Sequence, residues 1–169
     1  ILATPLEVRG FEEIFLYTEP FYVAINKKHP FASKKNINKK DLHGETLLLL
    51  EEGHCLRGQA LEICSDNMTK ERKGFRGTSL ETIRHMVSAG IGITLIPETA
   101  IDYKNFIKNT PLVYVPFEEP VPVRRVGLLH RTTSTRKICF QKLASLIQLI
   151  TKKEFPTKKS VELIPVFKK

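Results

Sequence analysis

The stretch Phe75-Arg76-Gly77-Thr78-Ser79-Leu80-Glu81-Thr82-Ile83-Arg84, continued by Met86-Val87-Ser88-Ala89-Gly90-Ile91-Gly92-Ile93-Thr94-Leu95-Ile96-Pro97, decides the fold. Phe75 to Gly77 reads as a short strand. Thr78 or Ser79 can cap a helix that carries Glu81 or Thr82 in its first turn. Ile83, Met86, Val87 and Gly90 set the apolar face of that helix. Gly90 to Gly92 ends it, and Ile93 to Ile96 is a buried strand closed by Pro97. Strand, helix and strand in this order indicate an α/β domain.

The same alternation extends outward. Thr46 to Leu50 is a continuous apolar run, suited to a strand buried on both faces. Glu51 to His54 reads as a turn, and Cys55 to about Ser65 as a helix with Leu56, Ala60, Leu61 and Cys64 at near-helical spacing. Ile14 to Tyr17 and Phe21 to Ile25 read as two short strands broken by Glu19-Pro20. Leu112 to Pro116 and Arg125 to His130 are two further strands. A last helix is expected from about Thr135 to Thr151, with a core stripe of Cys139, Leu143, Leu146 and Ile150 widened by Ile147. Lys152 to Lys169 reads as a basic, partly ordered tail in which Val161 to Phe167 can pack. No internal repeat or low-complexity tract is visible.

The chain has 169 residues and a formal net charge of +9. Its lysine pairs, such as Lys27-Lys28, Lys34-Lys35, Lys39-Lys40 and Lys152-Lys153, are scattered over loops. A solvated lysine surface explains this better than a nucleic-acid footprint, although a charge-based partner stays open. No apolar run approaches the roughly 20 residues of a membrane helix, so the chain reads as soluble with no membrane partner. Ile1-Leu2-Ala3 looks like the inside of a strand, and the sequence is expected to be a fragment of a longer protein. Three cysteines and no secretion signal point to a reducing cytoplasm.

Cys55 and Cys64 lie nine residues apart. On one continuous helix their Cα atoms are separated by roughly 13 Å along the axis, and nine steps of about 100° put them on opposite faces. A disulfide needs Cα atoms within about 7 Å. The helix and the bond are therefore mutually exclusive, and forming the bond forces the segment to refold. Cys55 falls at the expected helix start, with His54 adjacent and Arg57 two residues on, surroundings that favour a thiolate. The blander reading is that both cysteines are small buried hydrophobes. The spacing does not match a structural zinc site, and no metal or cofactor is expected. His29, His43, His85 and His130 are scattered and read as surface or core histidines. Cys139, on the expected core stripe, is taken as structural.

Leu50-Glu51-Glu52-Gly53-His54-Cys55-Leu56-Arg57-Gly58-Gln59-Ala60, with Cys64 following, resembles the sensing segment of the OxyR family of peroxide-responsive LysR-type regulators. The stretch from Phe75 to Pro97 resembles LysR-type effector domains in general. The resemblance implies a periplasmic-binding-protein-like α/β fold with one lobe complete and the other partial. Residues 1–19 would be a strand and hinge from the first lobe, residues 20–123 the second lobe with the redox cysteines, and residues 124–169 the returning strand, helix and tail of the first lobe. It implies that Cys55 reacts with peroxide, that Cys64 is its disulfide partner, and that His54, Arg57 and Arg124 shape the surroundings of the thiolate. Thr78 and Ser79 would line the effector cleft. Gly58 departs from the motif, which usually carries an acidic residue there.

The function implied is a peroxide sensor within a transcription regulator, not an enzyme. Its implied partners are a second copy in a homodimer or tetramer, and DNA through an N-terminal domain absent from this chain. A glutaredoxin or thioredoxin would act as reductant, and RNA polymerase would be met by the full-length protein. Two other readings stand beside it: a metabolite-binding LysR-type effector domain with incidental cysteines, and a thiol peroxidase.

Overall fold

The structure is a computed structural model that describes residues 1–4, 9–64, 70–101, 111–154 and 161–164. Eight strands and three α-helices are described. They are β1 (Leu2–Thr4), β2 (Phe11–Asn26), β3 (Thr46–Leu50), α1 (Cys55–Cys64), β4 (Lys70–Gly77), α2 (Leu80–Ser88), β5 (Thr94–Pro97), β6 (Leu112–Pro116), β7 (Val121–Arg131), α3 (Lys137–Glu154) and β8 (Val161–Leu163). Ser65 and residues 165–167, which the sequence assigned to α1 and to the packed tail, lie outside the described residues.

Strand β2 organises the molecule. Phe11 to Pro20 pair with Arg131 to Val123 of β7, whose other edge takes β1. From Phe21 onward the same strand pairs with β5, and from Tyr22 with β6 on its other side. The sequence placed a break at Glu19-Pro20; the backbone instead runs through, and the break is an exchange of partners. Proline has no N–H to give a ladder, so it is tolerated where one partner ends and another begins. A bulge between Phe15 and Tyr17 adds twist to the crossing.

Beyond the crossing, β3 and β4 are parallel. A parallel bridge between Leu47 and Ile93 joins β3 to the lead-in of β5. The resulting order is β4-β3-β5-β2-β6, with β2 antiparallel to its neighbours. Phe21, Val23, Ile25, Leu47, Leu49, Ile93 and Leu95 form its core with Ala60, Ile63 and Cys64 of α1. Leu48 and Leu50 face the other way, onto Ile83 and Val87 of α2. The run Thr46 to Leu50 is apolar because both faces are covered. Buried Ile164, next to β8, also joins this core.

Helix α3 packs on the β2–β7 sheet, but of the expected stripe only Ile147 meets it. Phe140, Ala144 and Ile147 meet Leu16, Val126 and Leu128. Leu143, Leu146 and Ile150 are exposed, as are Ile138 and Leu149. Cys139 is exposed as well, so it is not a core residue. The helix is apolar on two sides, and sequence periodicity does not say which side meets the sheet. The small Ala144, with Phe140 and Ile147 one turn to either side, decides it by letting the helix approach closely.

Two glycines fix the α2–β5 turn. Gly90 has φ +75°, the left-handed conformation that ends a helix without a Cβ clash. At Gly92 a Cβ would lie 2.4 Å from the Thr46 carbonyl oxygen. The close approach lets Ile93 N–H bond Thr46 and the Leu48 N–H bond Ile93, at 2.9 and 2.8 Å. Gly92→Ala should push β3 away from β5 and cost about 1–3 kcal/mol, as overpacking does. Urea unfolding measures this, and an unchanged midpoint would show that the contact has room to relax.

Candidate functional site

Three connections leave the sheet at the carboxyl ends of its parallel strands, where ligands of α/β folds bind. Leu50 ends β3 and Gly77 ends β4, and the two are register partners. From Leu50 the chain turns at Gly53, with φ +95°, and enters α1 at Cys55. From Gly77 it passes Thr78 and Ser79 into α2. From Pro97 it makes a short 3-10 turn, Glu98–Ala100. Cys55, Thr78-Ser79 and Thr99 are thereby brought to one edge.

Cys55 is half-buried, Cys64 buried, and Cys55, Cys64 and Cys139 are all in the thiol form. Cys55 is the first residue of α1 and Cys64 the last. The helix is continuous, so their Cα atoms are separated by about 13 Å along its axis. Gln59, Ala60, Ile63 and Cys64 are the buried residues of α1. On a helical projection these span half the circumference, with Cys55 at one border and Cys64 at the other. The two cysteines flank the buried face rather than sitting on a buried and a solvent face.

His54 is exposed at the turn, and its carbonyl accepts the Arg57 N–H at 3.0 Å. Arg57 Nη1 lies 3.4 Å from the Leu50 carbonyl, folding back over the end of β3. Ser79 is the cap of α2: its Oγ accepts from the Thr82 N–H at 3.2 Å and meets the Thr82 hydroxyl at 3.0 Å. Of the two candidate caps, Ser79 is thus the one used, and Thr78 is left exposed at the edge.

Arg124 stands at the strand crossing, as the register partner of Glu19. Its Nε and Nη2 donate to Glu19 Oε1 at 2.7 and 2.6 Å. The other carboxylate oxygen accepts from the Thr99 N–H at 3.0 Å and the Thr99 hydroxyl at 2.6 Å. Glu19 has no exposed surface. Burial, followed by the Glu19 charge, pushes the pKa of the Tyr17 phenol above its ordinary value, while Arg124 pulls it back. Glu19 and Thr99 were not singled out in the sequence. The signal was there: a carboxylate directly before the proline that marks the crossing, at the entry to the apolar run Phe21 to Ile25. Among the described residues no group of His, Cys, Asp and Glu is arranged to hold a metal, and no helix is long and apolar enough to cross a membrane.

The profile of the LysR substrate binding domain matches residues 1–149. The chain belongs to that family. It is 43% identical over 148 residues to the hydrogen peroxide-inducible genes activator of Escherichia coli O6:H1, covering 88% of this chain and 48% of the relative. The chain therefore spans about half the length of the curated relatives it matches. It superposes on the crystal structure of the reduced form of OxyR with a TM-score of 0.78 and 39% identity, over 90% of this chain and 70% of that one. The oxidized form of OxyR gives 0.77 and 41%, over 91% and 72%. The fold is thus that of an OxyR-type LysR effector domain, α/β and periplasmic-binding-protein-like. The relatives named are transcription regulators, not enzymes.

Removing Glu19 alone leaves the Arg124 charge unpaired, and Glu19→Ala should cost roughly 3 kcal/mol, the low end for a buried pair because Arg124 keeps some contact with water. Glu19→Leu combined with Arg124→Met should cost less than Glu19→Leu by itself. A double-mutant cycle in urea gives the coupling, and strictly additive losses would show that the pair does not act as a unit.

Proposed function

We propose that this domain senses hydrogen peroxide for a transcription regulator, through oxidation of Cys55 and disulfide formation with Cys64. The observation that carries the reading is the placement of both cysteines at opposite ends of one continuous helix. The similarity to reduced and oxidized OxyR structures supports it.

The chemistry follows from the thiolate. The Cys55 sulfur attacks one peroxide oxygen, the O–O bond breaks, and the departing oxygen leaves as water after taking a proton. Cys55 is then a sulfenic acid. The Cys64 thiol, freed when α1 unwinds, attacks that sulfur, and the hydroxyl leaves as a second water. Two electrons pass from the thiol pair to the peroxide. In this reading the first turn of α1, His54, Arg57 and Arg124 make up the polar and positive surroundings of the reacting Cys55 sulfur. The rest of the switch is mechanical, because the bond needs Cα atoms within about 7 Å and the helix cannot provide that.

The reaction is stoichiometric, so the domain acts as a switch and not as an enzyme. Residues 20–123 form the sensing lobe, and residues 1–19 and 124–169 belong to its companion. The full-length regulator works as a homodimer or tetramer in the cytoplasm, binds DNA through a separate N-terminal domain, engages RNA polymerase, and is reset by a glutaredoxin or thioredoxin.

Brief treatment with about one equivalent of peroxide, followed by peptide mass spectrometry, tests the reading. A peptide linking Cys55 to Cys64 is expected, with Cys139 left as a thiol. Free Cys55 beside oxidised Cys139 would sink the proposal and favour an effector domain whose ligand sits at Thr78 and Ser79. Sustained peroxide consumption with a thiol reductant would instead indicate a peroxidase. The variants separate the steps. Cys55→Ser should lose all reaction, Cys64→Ser should trap a sulfenic acid that dimedone captures, and Arg124→Met should slow Cys55 oxidation by roughly tenfold, the effect of losing one stabilising charge.

A further inference from the structure

Gln59 lies one turn beyond Cys55 on α1 and has no exposed surface. Neither its Nε2 donor nor its Oε1 acceptor has a hydrogen-bond partner among the described residues. Most buried polar side-chain atoms in native proteins are paired, and an amide with both ends unpaired is an unusual expense in a helix that buries so little. Its neighbours along the inner side of α1 are apolar: Ala60 and Ile63 belong to the main core, and Leu56 bridges that core and the α2 cluster. A methionine or leucine would fill the site without that cost.

Two further features of α1 point the same way. Gly58 occupies an exposed interior position, where glycine costs about 0.5–1 kcal/mol relative to alanine. The helix has only ten residues, shorter than helices that persist on local bonding alone. Its stability rests on packing, and Gln59 subtracts from that packing at the midpoint between the two cysteines.

We infer that Gln59 is a built-in bias toward unwinding: its unpaired amide destabilises the helical, reduced form of α1 and so favours the Cys55–Cys64 disulfide. The inference rests on the sensor reading above. Unwinding brings the amide to water, which satisfies both of its ends, so the penalty exists only in the reduced state. The electron balance is unchanged: two thiols give up two electrons and two protons as the S–S bond forms, and the oxidant accepts them. Gln59 changes only the free-energy difference between the helical dithiol and the refolded disulfide.

The test uses the whole chain and Gln59→Met, equilibrated in glutathione buffers, where glutathione disulfide accepts the two electrons and becomes two thiols. The bonded fraction is read by alkylation and mass spectrometry. Gln59→Met should shift the thiol–disulfide equilibrium toward the dithiol by roughly tenfold, the effect of removing one buried unpaired amide. Amide exchange of residues 55–64 in the reduced chain should slow by a similar factor. The rate at which dimedone captures sulfenic acid at Cys55 after peroxide should stay as in the wild type.

An unmoved equilibrium with unmoved exchange overturns the inference. So does faster exchange in the variant, which would mean that Gln59 stabilises the helix. A slower sulfenylation rate with an unmoved equilibrium also overturns it, because Gln59 would then act on the peroxide step. A wild-type chain that forms no Cys55–Cys64 bond brings down the sensor reading, and this inference with it. That outcome is recognised without any variant. Gln59→Leu guards against an effect peculiar to methionine.

Discussion

A buried carboxylate holds this molecule at its crossing. Glu19 sits where β2 leaves the β1–β7 sheet and enters the β4-β3-β5-β2-β6 sheet, and both of its oxygens are used. One side grips Arg124 on β7, the strand that makes the return crossing. The other grips Thr99, in the turn after β5. A charge with no contact with water is tolerable only because it is paired and bonded on every side. The same arrangement ties both crossing strands to the end of the sheet where α1 and α2 begin. Anything that moves β7 relative to β5 has to pull on this carboxylate.

The pairing also fixes what Arg124 can do. A guanidinium is a planar fork with five N–H donors, and Glu19 engages only its Nε and one Nη2 edge. The remaining donors are held in a set direction because the fork is rigid. A lysine could not be used this way, since its three donors rotate about one atom. The contribution of Glu19 is therefore orientation as much as stability: it turns a long flexible side chain into a fixed one at the edge that also carries Cys55.

Much of this architecture was legible in the chain. Thr46 to Leu50 and Leu112 to Pro116 were readable to the residue because apolar runs bounded by turn signals leave little freedom. The start of α2, narrowed to a cap at Thr78 or Ser79, and its glycine stop were readable because capping and left-handed backbone are local chemistry. The limits were three-dimensional. Glu19-Pro20 looks like a break, since nothing local reveals that a strand changes sheets there. The packing side of α3 was misjudged because Leu143, Leu146 and Ile150 are as apolar as Phe140, Ala144 and Ile147, and only the partner sheet chooses between them. Cys139 went with that stripe. The site showed the same division. The motif around Cys55 was plain, whereas the Glu19–Thr99–Arg124 cluster unites positions far apart in sequence, and the unpaired Gln59 amide is defined by the absence of a neighbour.

Helix α1 ties these observations together. It is anchored through Leu56 into both clusters and through Ile63 and Cys64 into the main core, so it is held by side chains more than by its own backbone. Such a helix is stable only while its packing is intact. Cys64 is part of that packing, and drawing it out toward Cys55 removes a core residue together with the last turn. In the proposed switch that loss is offset by the free energy of the redox step, in which two S–H bonds and the O–O bond of peroxide are exchanged for the S–S bond and two waters. The proposed disulfide therefore does not need a weak fold around it; it needs one short segment whose packing is worth less than the free energy of oxidising the thiol pair. Under the proposed switch, the surrounding sheet, pinned by Glu19, stays rigid while that segment exchanges one structure for another, and this separation of a stiff frame from one replaceable helix turns a change at a single sulfur into a change of shape.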